Sequence, residues 1–164
     1  MRVAVTSPFF HLLPYLQEEL LSKYPDSKFK DTFDPLNKAD FIEFCKGYDA
    51  ALIGLDRIDD EVLTALPELK IIALCSAGAD HLDPAALKKR GVRMGWVAGI
   101  NKDAVAEMTI STMINILRNF HNLSERLHKG EWPKRRGGGS LLKGKIVGLH
   151  GCGNVGKEVV KRLQ

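Results

Sequence analysis

Short apolar runs alternate with longer helical patterns along the first part of the chain, and this alternation limits the fold more than any other feature. The apolar runs are rich in β-branched residues and span 2–6, 28–33, 49–55, 69–76 and 91–97. Helical patterns lie between them, at 12–21, 39–47, 59–68 and 83–91. Because parallel strands need crossover connections that are usually helices, the alternation predicts a parallel sheet covered by helices, which is an α/β fold.

The pattern changes after residue 101. No Gly or Pro occurs over 102–127, and Asn101 precedes this stretch at the position of a helix N-cap, so we expect one long helix. Its first half is apolar on more than one side, through Val105, Met108, Ile110, Met113, Ile114, Ile116 and Leu117. Such a helix must pack against more than one neighbour, within the protein or across a subunit interface. We place a domain boundary at 97–101, with the helix as the hinge element.

A glycine fingerprint, Gly151-Cys152-Gly153-Asn154-Val155-Gly156, lies near the end of the chain. It follows a predicted strand at 144–151 and opens a predicted helix at 155–163, which is the context that a dinucleotide-binding turn requires. In such a turn Gly151 allows the tight bend, Gly153 lets the backbone approach the pyrophosphate, and Gly156 lets helix and strand pack closely. The amides near Asn154 and Val155 then point at the phosphates. The alternative is a plain glycine-rich βα turn.

Composition and charge narrow the function classes. The net charge is +4, and much of the excess lies over 126–145, where seven basic residues face one acid, Glu131. These basic residues indicate either a solvated basic loop or a rim that attracts anions. The glycines at 137–139 are not followed by the Lys-Ser/Thr pair of a Walker motif, so they predict a surface loop. Only Trp132 interleaves with the charges, so we expect no nucleic-acid partner.

The number of cysteines and the hydropathy of the chain indicate where in the cell the protein is expected. The three cysteines, Cys45, Cys75 and Cys152, are odd in number and lack metal-ligand spacing, which is typical of reduced thiols in a cytoplasmic protein. We therefore expect no metal site. No stretch approaches the roughly 20 apolar residues of a membrane span, and the N-terminus does not have the pattern of a signal peptide, so we expect no membrane segment.

Three stretches in order carry a family resemblance. "LKIIALCSAGADHLDPAALKKRGVRM", "AGINKDAVAEMTISTMINILRN" and "EWPKRRGGGSLLKGKIVGLHGCGNVGKEVV" together resemble the D-isomer-specific 2-hydroxyacid dehydrogenases, a family that includes phosphoglycerate, glyoxylate or hydroxypyruvate, and formate dehydrogenases. The resemblance implies a flavodoxin-like substrate domain over 1–100. It also implies a hinge and dimerisation helix followed by the first βα unit of a Rossmann NAD(P)-binding domain over 101–164. The expected protein is a homodimer that uses NAD or NADP and transfers a hydride to or from C2 of a small 2-hydroxy or 2-oxo acid.

The resemblance also assigns roles to residues. The substrate carboxylate would be held by backbone amides of Ser76, Ala77 and Gly78, where Gly78 permits an unusual backbone angle; the alternative is that Gly78 only makes the turn. Asn101 would contact the substrate, although a helix cap competes for the same side chain. Val105 would lie near the nicotinamide, although core packing also predicts an apolar residue there. The cofactor would be bound by Gly151, Gly153, Asn154, Val155 and Gly156.

The chain departs from the family pattern in its catalytic groups. The resemblance places the Arg, the Glu or Asp, and the His of the family beyond Gln164, and His11, His81, His121, His128 and His150 match none of them. We therefore expect a truncated chain that is inactive alone, with 102–164 poorly folded or dependent on another chain, because one strand cannot satisfy a parallel sheet. Two alternatives remain: an NAD(H)-sensing or interaction module on the same fold, and one half of a split enzyme. The residue that selects NAD or NADP would also follow Gln164.

Overall fold

The computed structural model describes residues 1–132 and 139–164 and divides into two compact units, Met1–Ala98 and Gly99–Gln164. The first unit contains a sheet of five parallel strands: β1 Val3–Val5, β2 Lys28–Phe29, β3 Ala50–Ile53, β4 Ile71–Leu74 and β5 Arg93–Gly95. Their spatial order is β2-β1-β3-β4-β5. This is the flavodoxin-like order, so the predicted α/β fold with a parallel sheet is confirmed.

Five helices connect these strands: α1 Pro8–Leu12, α2 Pro14–Lys23, α3 Lys38–Cys45, α4 Asp60–Ala65 and α5 Pro84–Arg90. Side chains cap three of them, since Asn37, Asp59 and Asp83 each accept a backbone N–H of the following turn. The helix predicted over 12–21 is present as α2, which begins two residues later and ends two residues later than predicted. Leu13 stands between α1 and α2 in a non-helical conformation, because Pro14 disfavours the helical region for the residue before it.

Both faces of the sheet are covered. Alternate strand residues face opposite sides, so Ala4, Ala51, Ile53 and Ile72 join one apolar cluster while Val3, Val5 and Ala50 join another. The larger cluster includes buried side chains of α3, α4 and α5, and the smaller one includes Phe10 of α1. Burial on both faces is what the inner part of a parallel sheet requires, and it explains why β1, β3 and β4 are apolar throughout, whereas the edge strands β2 and β5 contain Lys28 and Arg93.

The second unit contains α6 Lys102–Leu117, α7 Phe120–His128 and α8 Asn154–Leu163. The prediction of a continuous helix over 102–127 is wrong, because Asn119 breaks it with a φ of +52° in the left-handed region. Asparagine is one of the few residues that adopt this conformation readily. The Ser140 amide then donates to the Leu117 carbonyl oxygen at 2.8 Å, which satisfies an acceptor at the end of α6.

The strand predicted at 144–151 does not form. These residues are irregular, and Ile146 is fully exposed. A strand satisfies its backbone groups only by pairing, and the described residues of the second unit include no strand that could pair with it.

The structure also bears on the basic segment and on the expected lack of a membrane span. Within the basic segment, Arg126 pairs with Glu131 at 2.7 Å, whereas Lys134, Arg135, Arg136, Gly137 and Gly138 lie outside the described residues. Over 1–132 and 139–164, no helix has the length and apolar character that crossing a membrane needs.

Candidate functional site

The turn at Ser76, Ala77 and Gly78 follows β4 in the first unit, at the carboxyl edge of the parallel sheet. In open α/β sheets this edge is where ligands bind. The Cys75 amide still donates to the Ile53 carbonyl at 2.9 Å, so the chain leaves the sheet only after that residue. The Ser76 hydroxyl donates to the Gly78 carbonyl at 2.8 Å, which closes the turn from within.

The reason predicted for Gly78 is wrong. Its φ does not lie in the left-handed region, unlike that of Gly91 or Gly99. A Cβ at position 78 would instead lie 2.9 Å from Asp80 Oδ1, so a side chain there would displace the Asp80 carboxylate. The requirement for glycine is thus a mild one of space, because a terminal carboxylate can rotate away.

Trp96, which follows β5, also holds this turn and was missed by sequence reasoning. Its indole Nε1 donates to the Ala77 carbonyl oxygen at 3.2 Å. Because the peptide is planar and trans, fixing the Ala77 carbonyl on one side directs the Gly78 N–H to the other side. The only signal in the sequence was a tryptophan directly after a strand that ends at the same edge.

The thiols of the first unit are not suited to nucleophilic chemistry. Burial raises the pKa of the Cys45 thiol to about 12 and raises the pKa of Cys75 as well, with the Ser7 hydroxyl acting in the opposite direction on Cys75. Both are therefore neutral near pH 7. Among the described residues, no group of three or more His, Cys, Asp or Glu is arranged to hold a metal ion.

The glycine turn belongs to the second unit. Gly151 has a φ of +93°, a left-handed conformation that favours glycine, and a Cβ at Gly156 would lie 2.5 Å from the Gly151 carbonyl oxygen. The Lys157 amide donates to the Gly153 carbonyl oxygen at 3.1 Å, so it makes the first hydrogen bond of α8. The N–H groups of residues 154–156 precede that bond and have no acceptor in the helix. Apart from its chain neighbours, no heavy atom of residues 1–132 and 139–164 lies within 4 Å of a Cβ placed at Gly153, so this backbone is open to a ligand with respect to them.

An ion-pair network holds α8 against the start of α6. Glu158 is largely buried and contacts Lys161 at 2.7 Å and Lys102 at 3.7 Å, while Arg162 contacts Asp103 at 2.8 Å. The hydrogen bond from Lys161 is the main cause that lowers the pKa of Glu158, with a further contribution from Arg162. Sequence reasoning missed this network, although the spacing of four between Glu158 and Arg162 was a signal for one helix face.

Asn101 and Val105 lie at the start of α6. Asn101 occupies the N-cap position, but its side chain makes no capping hydrogen bond, so the capping role expected as an alternative is wrong. Val105 is 38% exposed, and the core packing offered as its alternative role is therefore also wrong for the described residues. Both side chains remain accessible.

The structure thus divides the expected residues between the two units. Ser76, Ala77 and Gly78 form one turn of the first unit. The residues from Gly151 to Gly156 form one turn of the second unit, and Asn101 and Val105 lie on the first turn of α6 in that same unit.

A flavodoxin-like parallel sheet, followed in the chain by a glycine turn at a helix N-terminus, is typical of doubly wound α/β proteins. Comparison with known families makes this specific: the model of the D-isomer specific 2-hydroxyacid dehydrogenase catalytic domain matches residues 3–153. The chain belongs to this family of oxidoreductases, as its motifs predicted.

Individual relatives agree with this assignment. The chain is 35% identical to glyoxylate reductase of Thermofilum pendens, over 79% of this chain and 40% of that protein. It is 31% identical to mouse glyoxylate reductase/hydroxypyruvate reductase, over 100% of this chain and 51% of that protein. The apo-structure of D-lactate dehydrogenase from Escherichia coli superimposes with a TM-score of 0.76 at 28% identity, covering 99% of this chain and 52% of that one. The chain thus spans about half the length, or less, of these relatives.

Proposed function

We propose that the protein is an NAD(P)-dependent oxidoreductase that transfers a hydride between nicotinamide and C2 of a small 2-hydroxy or 2-oxo acid. Residues 1–100 are assigned to the substrate domain. Residues 101–164 are assigned to the hinge and dimerisation helix and the start of the NAD(P)-binding domain. The glycine turn of the second unit is the observation that carries this proposal. Both its residue types and its geometry are those that binding a dinucleotide pyrophosphate requires.

The cofactor side rests on the first turn of α8. The N–H groups of residues 154–156 have no acceptor within the helix, and the positive end of the helix dipole lies there, so the pyrophosphate of NAD or NADP has donors to bind. Gly153 leaves space for the phosphate oxygens, and Gly156 lets the helix start close to Gly151. When the dinucleotide is bound through its pyrophosphate, its nicotinamide would accept or donate the hydride.

The substrate side rests on the turn after β4. The Gly78 N–H, directed by the bond between Trp96 and Ala77, is one donor for the substrate carboxylate, and the amides of Ser76 and Ala77 are the others. Asn101, whose side chain does not cap α6, is proposed to contact the substrate. Val105 is proposed to lie against the nicotinamide, where an apolar side chain excludes water.

The proposal also covers groups outside these residues. Proton exchange with the substrate hydroxyl needs a His, aligned by a carboxylate, and an Arg that orients the substrate carboxylate. None of the histidines in these 164 residues matches such a position, so we propose that these groups lie elsewhere in the protein. The exposed apolar side chains of α6, such as Met108 and Ile116, are proposed to pack in a homodimer, which a molar-mass measurement in solution tests.

The test of cofactor binding is a substitution in the glycine turn of the full natural protein. We expect Gly153→Val to abolish binding of NADH and NADPH, because the side chain would occupy the space of the pyrophosphate. Gly153→Ala and Gly148→Ala form a matched pair, since neither glycine has a positive φ and a Cβ at either would have no neighbour within 4 Å among the residues that the structure describes. Only the first should weaken binding when NADH titrations are followed by fluorescence. Equal binding by all variants would contradict the proposal.

The test of turnover uses a panel of 2-oxo acids with both cofactors. Glyoxylate and hydroxypyruvate lead the panel, since similar proteins are named for them, and pyruvate follows. We expect oxidation of NADH or NADPH with at least one of these acids. A protein that binds NADH tightly yet turns over none of them would instead be a sensing or interaction module on the same fold. Restoration of turnover by a second chain would indicate a split enzyme.

A further inference from the structure

Gly99, the first residue of the second unit, lies against the first residue of α8. A Cβ at Gly99 would lie 2.6 Å from Asn154 Nδ2, 2.7 Å from Asn154 Cβ and 2.8 Å from Asn154 Cγ. Gly99 also has a φ of +69°, so two independent features favour glycine there. The Asn154 side chain therefore covers the backbone at residue 99, and any side chain at residue 99 would push it away.

The contact is one of three that follow a single stripe of α8. Asn154, Glu158 and Arg162 are spaced by four residues and share a helix face. Glu158 and Arg162 pair with Lys102 and Asp103 of α6, and the Lys102 amide donates to the Gly99 carbonyl oxygen at 3.0 Å. With α8 tied to α6 by these ion pairs, the contact between Gly99 and Asn154 sets where the N-terminus of α8 lies.

We propose that Gly99 is a positioning residue for the dinucleotide. This inference rests on the proposed function, since the N–H groups it positions are those of residues 154–156. By having no side chain, Gly99 lets Asn154 settle against it, and the first turn of α8 then presents its N–H groups at the depth that the pyrophosphate needs. A methyl group at residue 99 shifts Asn154, and with it the amide that Asn154 itself contributes.

The experiment compares glycine-to-alanine variants in the full natural protein by NADH titration. We expect Gly99→Ala to raise the Kd for NADH by roughly tenfold or more, which corresponds to the loss of a hydrogen bond to a charged group. Gly91→Ala and Gly130→Ala are the matched controls, because their φ values of +68° and +77° impose the same backbone strain, while no described part of the chain lies within 4 Å of the added Cβ. Both should bind NADH as the wild type does.

A second substitution separates the contact from the strain. Asn154→Gly removes all three atoms that a Cβ at residue 99 would meet. Adding Gly99→Ala to Asn154→Gly should therefore change the Kd by less than about twofold, whereas Gly99→Ala alone changes it strongly. If Gly99→Ala does not fold, Asn154→Leu with Gly99 retained crowds the same contact from the other side, and it too must weaken NADH binding.

The outcomes separate this inference from the proposed function. Tight binding of NADH by Gly99→Ala, or by Asn154→Leu where Gly99→Ala does not fold, would overturn the inference while leaving the proposed function intact. So would equal losses in Gly99→Ala, Gly91→Ala and Gly130→Ala, or a loss that Asn154→Gly does not suppress. A wild-type protein that binds neither NADH nor NADPH would overturn the proposed function first.

Discussion

The two units bury very different amounts of apolar surface within this chain. The first unit closes a core on both faces of its sheet, and side chains such as Phe41, Ile53 and Ile72 are 1% exposed or less. In the second unit, Ala106 and Val159 are the buried apolar residues among those that the structure describes, while Met108 and Ile116 are 68% and 73% exposed. Ion pairs of Glu158 and Arg162 with Lys102 and Asp103 also join α6 and α8.

This difference shows that an apolar run becomes a strand only where neighbouring strands can pair with its backbone. The run at 69–76 and the run at 144–151 have similar residue types, yet the first contains β4 and the second contains no strand. β4 pairs with β3 on one side and β5 on the other, so its backbone groups are satisfied. Propensity favours a strand in both runs, and only the neighbours differ.

The largest expected effect is in thiol reactivity, which compares the two units directly. Raising the pKa of the Cys45 thiol from 9.0 to about 12 lowers its thiolate population about 1000-fold near pH 8, and burial shields it further. Cys152 of the second unit is exposed. We expect iodoacetamide to label Cys152 first and Cys45 last, as followed by mass spectrometry of peptides. The denatured chain, in which all three thiols should react alike, is the control.

Two isoleucine-to-alanine substitutions test the comparison through stability. In this chain, Ile72→Ala should lower the free energy of unfolding by about 2–5 kcal/mol, because it leaves a cavity in the core of the first unit. Ile146→Ala should change it by less than about 0.5 kcal/mol, because the side chain is fully exposed. Urea denaturation measures both. A large loss from Ile146→Ala would mean that residues 145–150 pack after all, and the contrast between the units would then be broken.

Much of the first unit could be predicted from sequence because its signals are local and its partners lie within the same unit. The apolar runs that form β1, β3 and β4 are examples. The break at Asn119 could not be predicted, since it combines a tolerated left-handed conformation with a bond from Ser140 that only the fold reveals. The predicted strand at 144–151 failed for the same reason: a pattern gives a propensity but not a partner.

The two proposed binding turns show the same limit. Gly151, Gly153 and Gly156 form a short motif, because a tight turn with a close backbone approach requires glycine, so this site could be recognised in the sequence. Trp96 was not recognised because its bond to Ala77 joins residues that follow two different strands. The contact between Gly99 and Asn154 likewise depends on how α6 and α8 pack, which no short motif encodes.

The pH dependence of unfolding tests how much the Glu158 ion pairs contribute to the stability of the second unit. The folded-state pKa of Glu158 lies below its ordinary value of 4.5, so its contribution to stability is present above that value and is lost as the pH falls through the lowered pKa. We expect Glu158→Gln to be less stable than the wild type at neutral pH, with the difference shrinking as the pH falls below 4.5. Denaturation of both proteins across pH measures this. A difference that stays constant would assign Glu158 a packing role.

The smallest expected effect is at the turn after β4, where the first unit supports its own proposed site. Trp96→Phe keeps an aromatic ring, though a smaller one, and removes the exposed hydrogen bond to Ala77, so the free energy of unfolding should fall by at most about 1 kcal/mol. If that bond directs the Gly78 N–H at a carboxylate, the KM for a 2-oxo acid should rise by roughly threefold to tenfold while kcat changes less, because ground-state and transition-state binding weaken together. Trp132→Phe, at an exposed tryptophan of the other unit, should change neither constant. An unchanged KM in Trp96→Phe would reduce Trp96 to a structural contact, and a fall in kcat alone would mean that the turn acts on the reacting atoms rather than on the carboxylate.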